Sequence, residues 1–227
     1  MKTISHPISI KTLTDYHLES YIRSPHQFYR QYILKENNDE TIWRKMVKFS
    51  VNKIIMDYYQ LPLNDQNKLN LLKLIDQYWE PIHPGMFENK IHYYFILANI
   101  TDHLLLFLFS NKLEHPPVLL YESFNTTVDE IDTKVSLTID VGEWSKNTFC
   151  IKKYLLDDHN SMNKLYKYLF VVFSKKAFGI LPDKIELFSL LDGKQQLIYP
   201  NEQDVEEGII YLDYVKNHIE NPNHFFN

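Results

Sequence analysis

The hydrophobic periodicity of this chain changes once, and that change constrains its fold more than any other feature. Up to His115-Pro116-Pro117 the apolar residues recur at helical spacing. Beyond it they form short runs rich in β-branched and aromatic residues, separated by polar turns. Before the switch, Thr14 stands as an N-cap ahead of Asp15-Tyr16-His17-Leu18-Glu19-Ser20-Tyr21, and Ser24-Pro25 opens a second short helix. Longer helices are expected over Thr41 to Gln60, Leu63 to Trp79 and Met86 to Lys112, with Pro81, Pro84 and Gly85 as breakers. Ser5 to Leu13 reads as a strand or an extended lead-in, and Asn37-Asn38-Asp39 as the end of the second helix.

After the switch, strands are expected at Val118 to Val128, Lys134 to Trp144 and Thr148 to Leu156. A helix follows from Ser161 to Phe178, then strands at Lys184 to Leu191 and Gln195 to Pro200 around Asp192-Gly193, and a closing helix from Val205 to Glu220. Helices followed by β-β-β-α-β-β-α imply a mixed sheet carrying helices. With 227 residues, 44% of them hydrophobic and 15% aromatic, one domain over 1–227 is expected, mainly helical to 117 and sheet-bearing from 118. Phe28, Tyr29, Tyr32 and Ile33 form an aromatic stripe that reads as core packing.

Charge and cysteine content narrow the function classes. A net charge of -5 repels polyanions as a whole, so nucleic-acid binding would need a local basic groove. A single cysteine, Cys150, excludes an internal disulfide framework and a cysteine-only metal site, and fits a reducing cytoplasm. Cys150 falls in a strand, where a buried, inert thiol is the default. No secretory leader is read at the N-terminus, and the apolar stretch His92 to Phe109 carries Asn99, Asp102 and His103, so a buried helix is expected there and no membrane partner. The chain contains no Gly-rich phosphate loop, Gly-x-Ser-x-Gly elbow or His-Glu-x-x-His. His92, His103 and His115 show no paired ligand spacing and read as structural.

One constellation carries chemistry. Thr14-x-Tyr16-x-Leu18-x-x-Tyr21-x-x-Ser24-Pro25-x-x-Phe28-Tyr29-x-x-Tyr32-x-Leu34 resembles the opening signature of the RecB and AddB family of PD-(D/E)XK nucleases and their CRISPR-adaptation relatives. The resemblance covers roughly residues 14 to 35 and 118 to 220. It implies an α/β (α+β) restriction-endonuclease-like core, a mixed β-sheet flanked by helices, with an N-terminal or inserted helical lobe. It further implies a Glu on a first strand, an Asp on a second and an Asp/Glu-x-Lys on a third, followed by a helix with Gln and Tyr. The counterparts here are Glu122, Asp140, Ile151-Lys152-Lys153 and the helix bearing Tyr166.

In such nucleases the carboxylates hold Mg²⁺ against the scissile phosphate and lower the pKa of the attacking water, while the lysine stabilises developing charge. Residues i and i+2 of a strand share a face, so Ile151 and Lys153 would both point into the site. Isoleucine cannot ligate a metal. Other motif positions have drifted too: Ser24 replaces the family cysteine that clamps an iron-sulfur cluster, Lys48 and Asn52 replace Gly and His, and Met162 replaces Gln.

The resemblance therefore implies a degenerate, non-cutting nuclease-fold protein, a DNA-associated or scaffolding module of repair, recombination or mobile-element defence. Asp140 and Lys153 are its remnant site, with Glu122 a further metal-ligand candidate beside Asp140. Arg23 and Arg30, with His26 and Lys35, and Lys164 and Lys167, with Lys175 and Lys176, are candidate nucleic-acid contacts, although for each patch alone a solvated helix face balanced by nearby acids is the commoner reading. No cofactor and no iron-sulfur cluster are expected, and DNA or a helicase or nuclease subunit would be the partner. Two alternatives stand. One is an active Mg²⁺-dependent nuclease whose carboxylate has migrated to Glu122, Glu143, Asp157 or Asp158. The other is a protein-interaction subunit without nucleic-acid contact.

Overall fold

The computed structural model describes residues 10–35, 42–110, 116–145, 148–157 and 159–221. The readings on Asn37-Asn38-Asp39, His115 and Asp158, and most of the lead-in before Thr12, lie outside them. Strand β1 (Thr12–Thr14) runs into α1 (Asp15–Arg23), where Thr14 Oγ1 accepts the His17 N–H at 3.1 Å as the expected cap. Ser24 caps α2 (Pro25–Phe28) by accepting the Gln27 N–H, and Tyr29–Ile33 continues as a π-helical turn. Three longer helices follow: α3 (Ile42–Gln60), α4 (Lys68–Trp79) and α5 (Lys90–Ser110).

Then come β2 (Leu119–Val128), β3 (Thr133–Ser145), β4 (Thr148–Leu155), α6 (Asn160–Phe178), β5 (Lys184–Ser189), β6 (Gln195–Ile198) and α7 (Glu202–Glu220). The sheet is mixed. β2, β3 and β4 pair antiparallel in turn, β4 and β5 pair parallel across the α6 crossover, and β6 closes the edge antiparallel to β5. β1 lies parallel to β3.

Alternation along the strands feeds two cores. From β4, Ile151 and Leu155 pack with α1, α6 and α7 around Leu18, Leu165, Leu169, Phe173 and Leu212. Tyr154 and Leu156 face the other way, into the layer of α3, α4 and α5 with Val51, Ile55, Ile75, Ile100 and Phe107. The three long helices α3, α4 and α5 are thus the cover of the second sheet face. α5 is long and apolar enough to cross a membrane by length and composition. It buries Ile96, Ile100, Leu104 and Phe107 in this core and leaves Ile91, Tyr94 and Phe95 exposed.

One glycine sets a helix spacing. A Cβ on Gly208 of α7 would stand 2.6 Å from Val172 Cγ2 and 3.3 Å from the Tyr168 carbonyl oxygen of α6. Gly208→Val is therefore expected to push the two helices apart and lower stability by about 1–3 kcal/mol, read as a fall in the urea midpoint at unchanged m-value. A variant as stable as the parent would show that α6 and α7 can slide without loss.

Candidate functional site

The site lies where the sheet forks. β1 and β4 share the same edge of β3: β1 pairs with Lys134 to Ser136, and β4 with Val141 to Ser145. The backbone between these two ladders needs other partners, and charged side chains supply them. Asp15 Oδ2 accepts the Thr138 N–H at 3.1 Å, and Lys153 Nζ donates to the Thr138 carbonyl at 3.3 Å. Asp140 Oδ2 accepts the Tyr154 N–H at 2.9 Å, the bond the β3–β4 ladder would have made had it continued. Ile139 packs in the first core and Val141 in the second, so the alternation of β3 slips at Asp140.

Within this fork Lys153 Nζ donates to Asp140 Oδ1 at 2.7 Å and lies 3.8 Å from Asp15 Oδ2 and 5.2 Å from the centre of the Tyr166 ring. Both members of the central pair are buried, at 2% and 3% exposure. Burial works against the ammonium, but Asp140, Asp15 and Glu19 outweigh it and raise the Lys153 pKa. Burial pushes the Asp140 carboxyl up against the opposing pull of Lys153.

A second tier of charges rises along α1. Asp15, Glu19 and Arg23 are spaced by four and share one helix face. Glu19 accepts from Lys48 Nζ at 2.6 Å, from Tyr166 Oη at 2.8 Å and from Arg23 at 3.3 Å. Burial alone would raise its carboxyl. Lys48, the Tyr166 hydroxyl and Lys153 together hold it at about 2 instead of 4.5. Arg23 continues to Asp157, donating to both carboxylate oxygens, and Arg44 of α3 meets the same carboxylate at 2.5 Å. Tyr16, Arg23, Arg44, Lys45 and Lys48 line a cleft directly above.

The structure brings Asp140 and Lys153 together but disperses the other sequence candidates. Asp140 sits mid-strand and no turn is capped by it. Ile151 is fully buried in the first core, which also holds Met162. Glu122 pairs in register with Ile139, yet its side chain is exposed on β2. Glu143 is 2.5 Å from Lys152, and Asp157 is held by the two arginines, so neither joins Asp140. Lys167 meets Asp204 at 2.6 Å, and Lys164 lies over the Tyr168 and Tyr211 rings, both along the α6–α7 seam. Arg30 is exposed on the π-helical turn. His103 Nδ1 lies 2.7 Å from the Leu190 carbonyl oxygen. Cys150 is half-buried, and burial pushes its thiol up.

Asp15, Glu19 and Arg44 were not singled out from sequence as site residues, and Tyr166 only through the family pattern. The four-residue spacing of Asp15, Glu19 and Arg23 was a usable signal for the first two. The Arg44–Asp157 contact spans 113 residues and has no local signature.

A divalent ion of the Mg²⁺ type needs several hard oxygens free to face it at about 2.0–2.1 Å. Here one Asp140 oxygen is taken by an ammonium and the other by a backbone amide, Ile151 offers no lone pair, and Glu19 is saturated by Lys48, Tyr166 and Arg23. The residues present do not fit such an ion, and no step through one is derived.

No protein-family model matches the chain, and no curated protein matches it. Among solved structures, a putative exonuclease from Eubacterium rectale matches with a TM-score of 0.50 at 7% identity, over 96% of this chain and 83% of that one. The fold is nuclease-like. It is the restriction-endonuclease-like arrangement expected from the resemblance, a mixed sheet between helical layers, and at such low identity the likeness bears on architecture alone.

Proposed function

We propose that this chain is a RecB-like PD-(D/E)XK protein that no longer cleaves and instead holds a nucleic-acid strand in its basic cleft. In this reading it is a DNA-associated or scaffolding part of a repair, recombination or mobile-element defence assembly. One observation carries the non-cleaving half: the Lys153 ammonium stands 2.7 Å from Asp140 Oδ1, where a catalytic ion would have to bind, while Ile151 is sealed in the core. A lysine that neutralises the remaining carboxylate cannot also leave it free to hold a metal.

The cleft supports the binding half. Arg23, Arg44, Lys45 and Lys48 concentrate positive charge at one place on a chain of net charge -5. Tyr16, 48% exposed and edge-on to Tyr32 at 5.8 Å, offers a ring to an unstacked base at the same rim. Asp157 already bridges Arg23 and Arg44, so a phosphate must compete with it, which favours moderate, salt-sensitive affinity.

The test pairs cleavage with binding. Single- and double-stranded DNA are incubated with the protein and its Asp140→Ala variant in Mg²⁺ and in Mn²⁺, and retention is followed by fluorescence anisotropy against salt. The expected result is no Asp140-dependent cleavage, and single-strand binding whose log–log salt slope falls by about 0.7 for each phosphate contact removed by Lys45→Ala or Arg44→Ala. Asp140-dependent cleavage would overturn the non-cleaving half. Absence of salt-dependent retention would overturn the binding half and leave the protein-interaction reading, which the exposed Ile91, Tyr94 and Phe95 of α5 favour.

A further inference from the structure

Two guanidinium groups that line the cleft converge on one carboxylate. Arg23 Nη1 of α1 donates to Asp157 Oδ2 at 2.7 Å and to Oδ1 at 3.0 Å, and Arg44 Nη2 of α3 donates to Oδ1 at 2.5 Å. Each guanidinium is also held from another side. Arg23 Nη2 donates to Glu19 at 3.3 Å, and the guanidinium carbon of Arg44 lies 5.0 Å from the centre of the Trp43 ring. The two forks are therefore kept in place by contacts that do not involve Asp157, while both donate to a single acceptor. Planar forks of this kind take a carboxylate or a phosphate alike.

A second observation is how easily that acceptor can leave. The Asp157 side chain is 30% exposed, and those of Arg23 and Arg44 are 30% and 25% exposed, whereas Asp140 and Lys153 beneath them are sealed. Solvent-exposed ion pairs contribute little to stability, so the fold does not depend on this one. The backbone just before Asp157 is fixed, since the Leu191 N–H donates to the Leu156 carbonyl at 2.7 Å, and the carboxylate can swing out by rotation of its own side chain. Charge points the same way. Arg23, Arg44, Lys45 and Lys48 line the cleft against Glu19, and Glu19 is already paired with Lys48. Asp157 supplies one negative charge and two oxygens to the cations that remain, which is what a phosphodiester of a nucleic-acid strand also supplies.

We propose that Asp157 is an internal stand-in for a strand phosphodiester: Arg23 and Arg44 form a phosphate subsite that this carboxylate keeps closed, and a bound strand opens it by displacing the carboxylate. Free protein then keeps its two arginines neutralised, and a strand gains them only when a phosphate reaches the place that Asp157 occupies. The proposal rests on the strand-binding half of the reading above and is indifferent to whether the chain cleaves.

The experiment uses the full chain and Asp157→Asn, which keeps the shape of the side chain and removes its charge. Binding of a single-stranded oligonucleotide with hydroxyl ends, so that every phosphate is a diester, is measured by anisotropy. Thermal unfolding is followed in parallel with inorganic phosphate as probe, at constant ionic strength. Asp157→Asn is expected to bind the oligonucleotide about tenfold tighter than wild type, since two arginines are freed and each exposed contact of this kind carries a few-fold in affinity. Its melting temperature should rise with phosphate more steeply than that of wild type. In a chain that also carries Arg23→Gln and Arg44→Gln, the same Asp157→Asn change should bring less than about twofold. A gain below twofold in the single variant, or a gain that survives loss of both guanidiniums, overturns the proposal, the latter by showing a diffuse effect of net charge. If neither protein retains the oligonucleotide, the strand-binding reading falls, and the phosphate response of Asp157→Asn against wild type still decides whether the subsite exists.

Discussion

Asp140→Ala is expected to lower unfolding stability by about 3–5 kcal/mol, the usual loss when one member of a buried ion pair is removed and its partner remains. Two groups are stranded at once: the Lys153 ammonium, 3% exposed, and the Tyr154 N–H, which donates to Asp140 Oδ2 at 2.9 Å. Asp15, 3.8 Å from the ammonium, softens the loss and places the expected value toward the lower end. Removing both charges together, Asp140→Leu with Lys153→Met, is expected to cost less than the sum of the single changes. Apolar side chains fill the space and no lone ammonium stays behind, although Asp15 and Glu19 then lose their cation. Urea denaturation of the four proteins closes the cycle. A coupling near zero would mean that water reaches the pair and that the fork is not the sealed centre its burial describes.

The order of elements was legible from the chain because each rests on local chemistry. The Thr14 and Ser24 caps, the breakers Pro81 to Gly85, the period change after Pro117 and the turn at Asp192-Gly193 all hold in the structure, with shifts of a few residues at element ends. The expected helix over Leu63 to Trp79 divides into a short 3-10 turn, Leu63–Asp65, and α4, because Asn67 caps the new helix by accepting the Asn70 N–H. What periodicity could not supply was the pairing across the sheet. Nothing local announces that β1 and β4 divide one edge of β3, and that division is what turns Asp15 and Lys153 inward.

The same limit applies to charge. Lys152 and Lys153 are adjacent in sequence and point to opposite faces of their strand, yet both are buried and each is neutralised across the sheet, by Glu143 and by Asp140. Lys164 and Lys167 resembled a phosphate-binding stripe because helical spacing alone reveals a shared face and not what covers it. α7 lies alongside it, pairing Asp204 with Lys167 and setting the Tyr211 ring beneath Lys164, which stays exposed. Long-range ion pairs consume much of the basic surface that a sequence displays, so the cleft at Arg44 and Lys45 had to be found in three dimensions.

Acid is expected to loosen the domain through Glu19. Burial alone would raise this carboxyl, but Lys48, the hydroxyl of Tyr166 and the charge of Lys153 bring it from 4.5 down to about 2 in the folded state. A carboxyl with a depressed folded pKa contributes stability that is fully present above its unfolded value and is lost as pH falls through its folded value. The window is therefore about pH 4.5 down to 2, and the gap corresponds to on the order of 3 kcal/mol. Glu19→Gln should be less stable than wild type at pH 7, and the difference should shrink toward zero as pH falls through that window, read from urea midpoints at several pH values. Asp140, whose carboxyl burial pushes the opposite way, titrates in both proteins and cancels in the comparison. A difference that stays constant with pH would mean that the Glu19 charge is not what ties α1 to Lys48 of α3 and Tyr166 of α6, and that the cleft above the fork is held by packing instead.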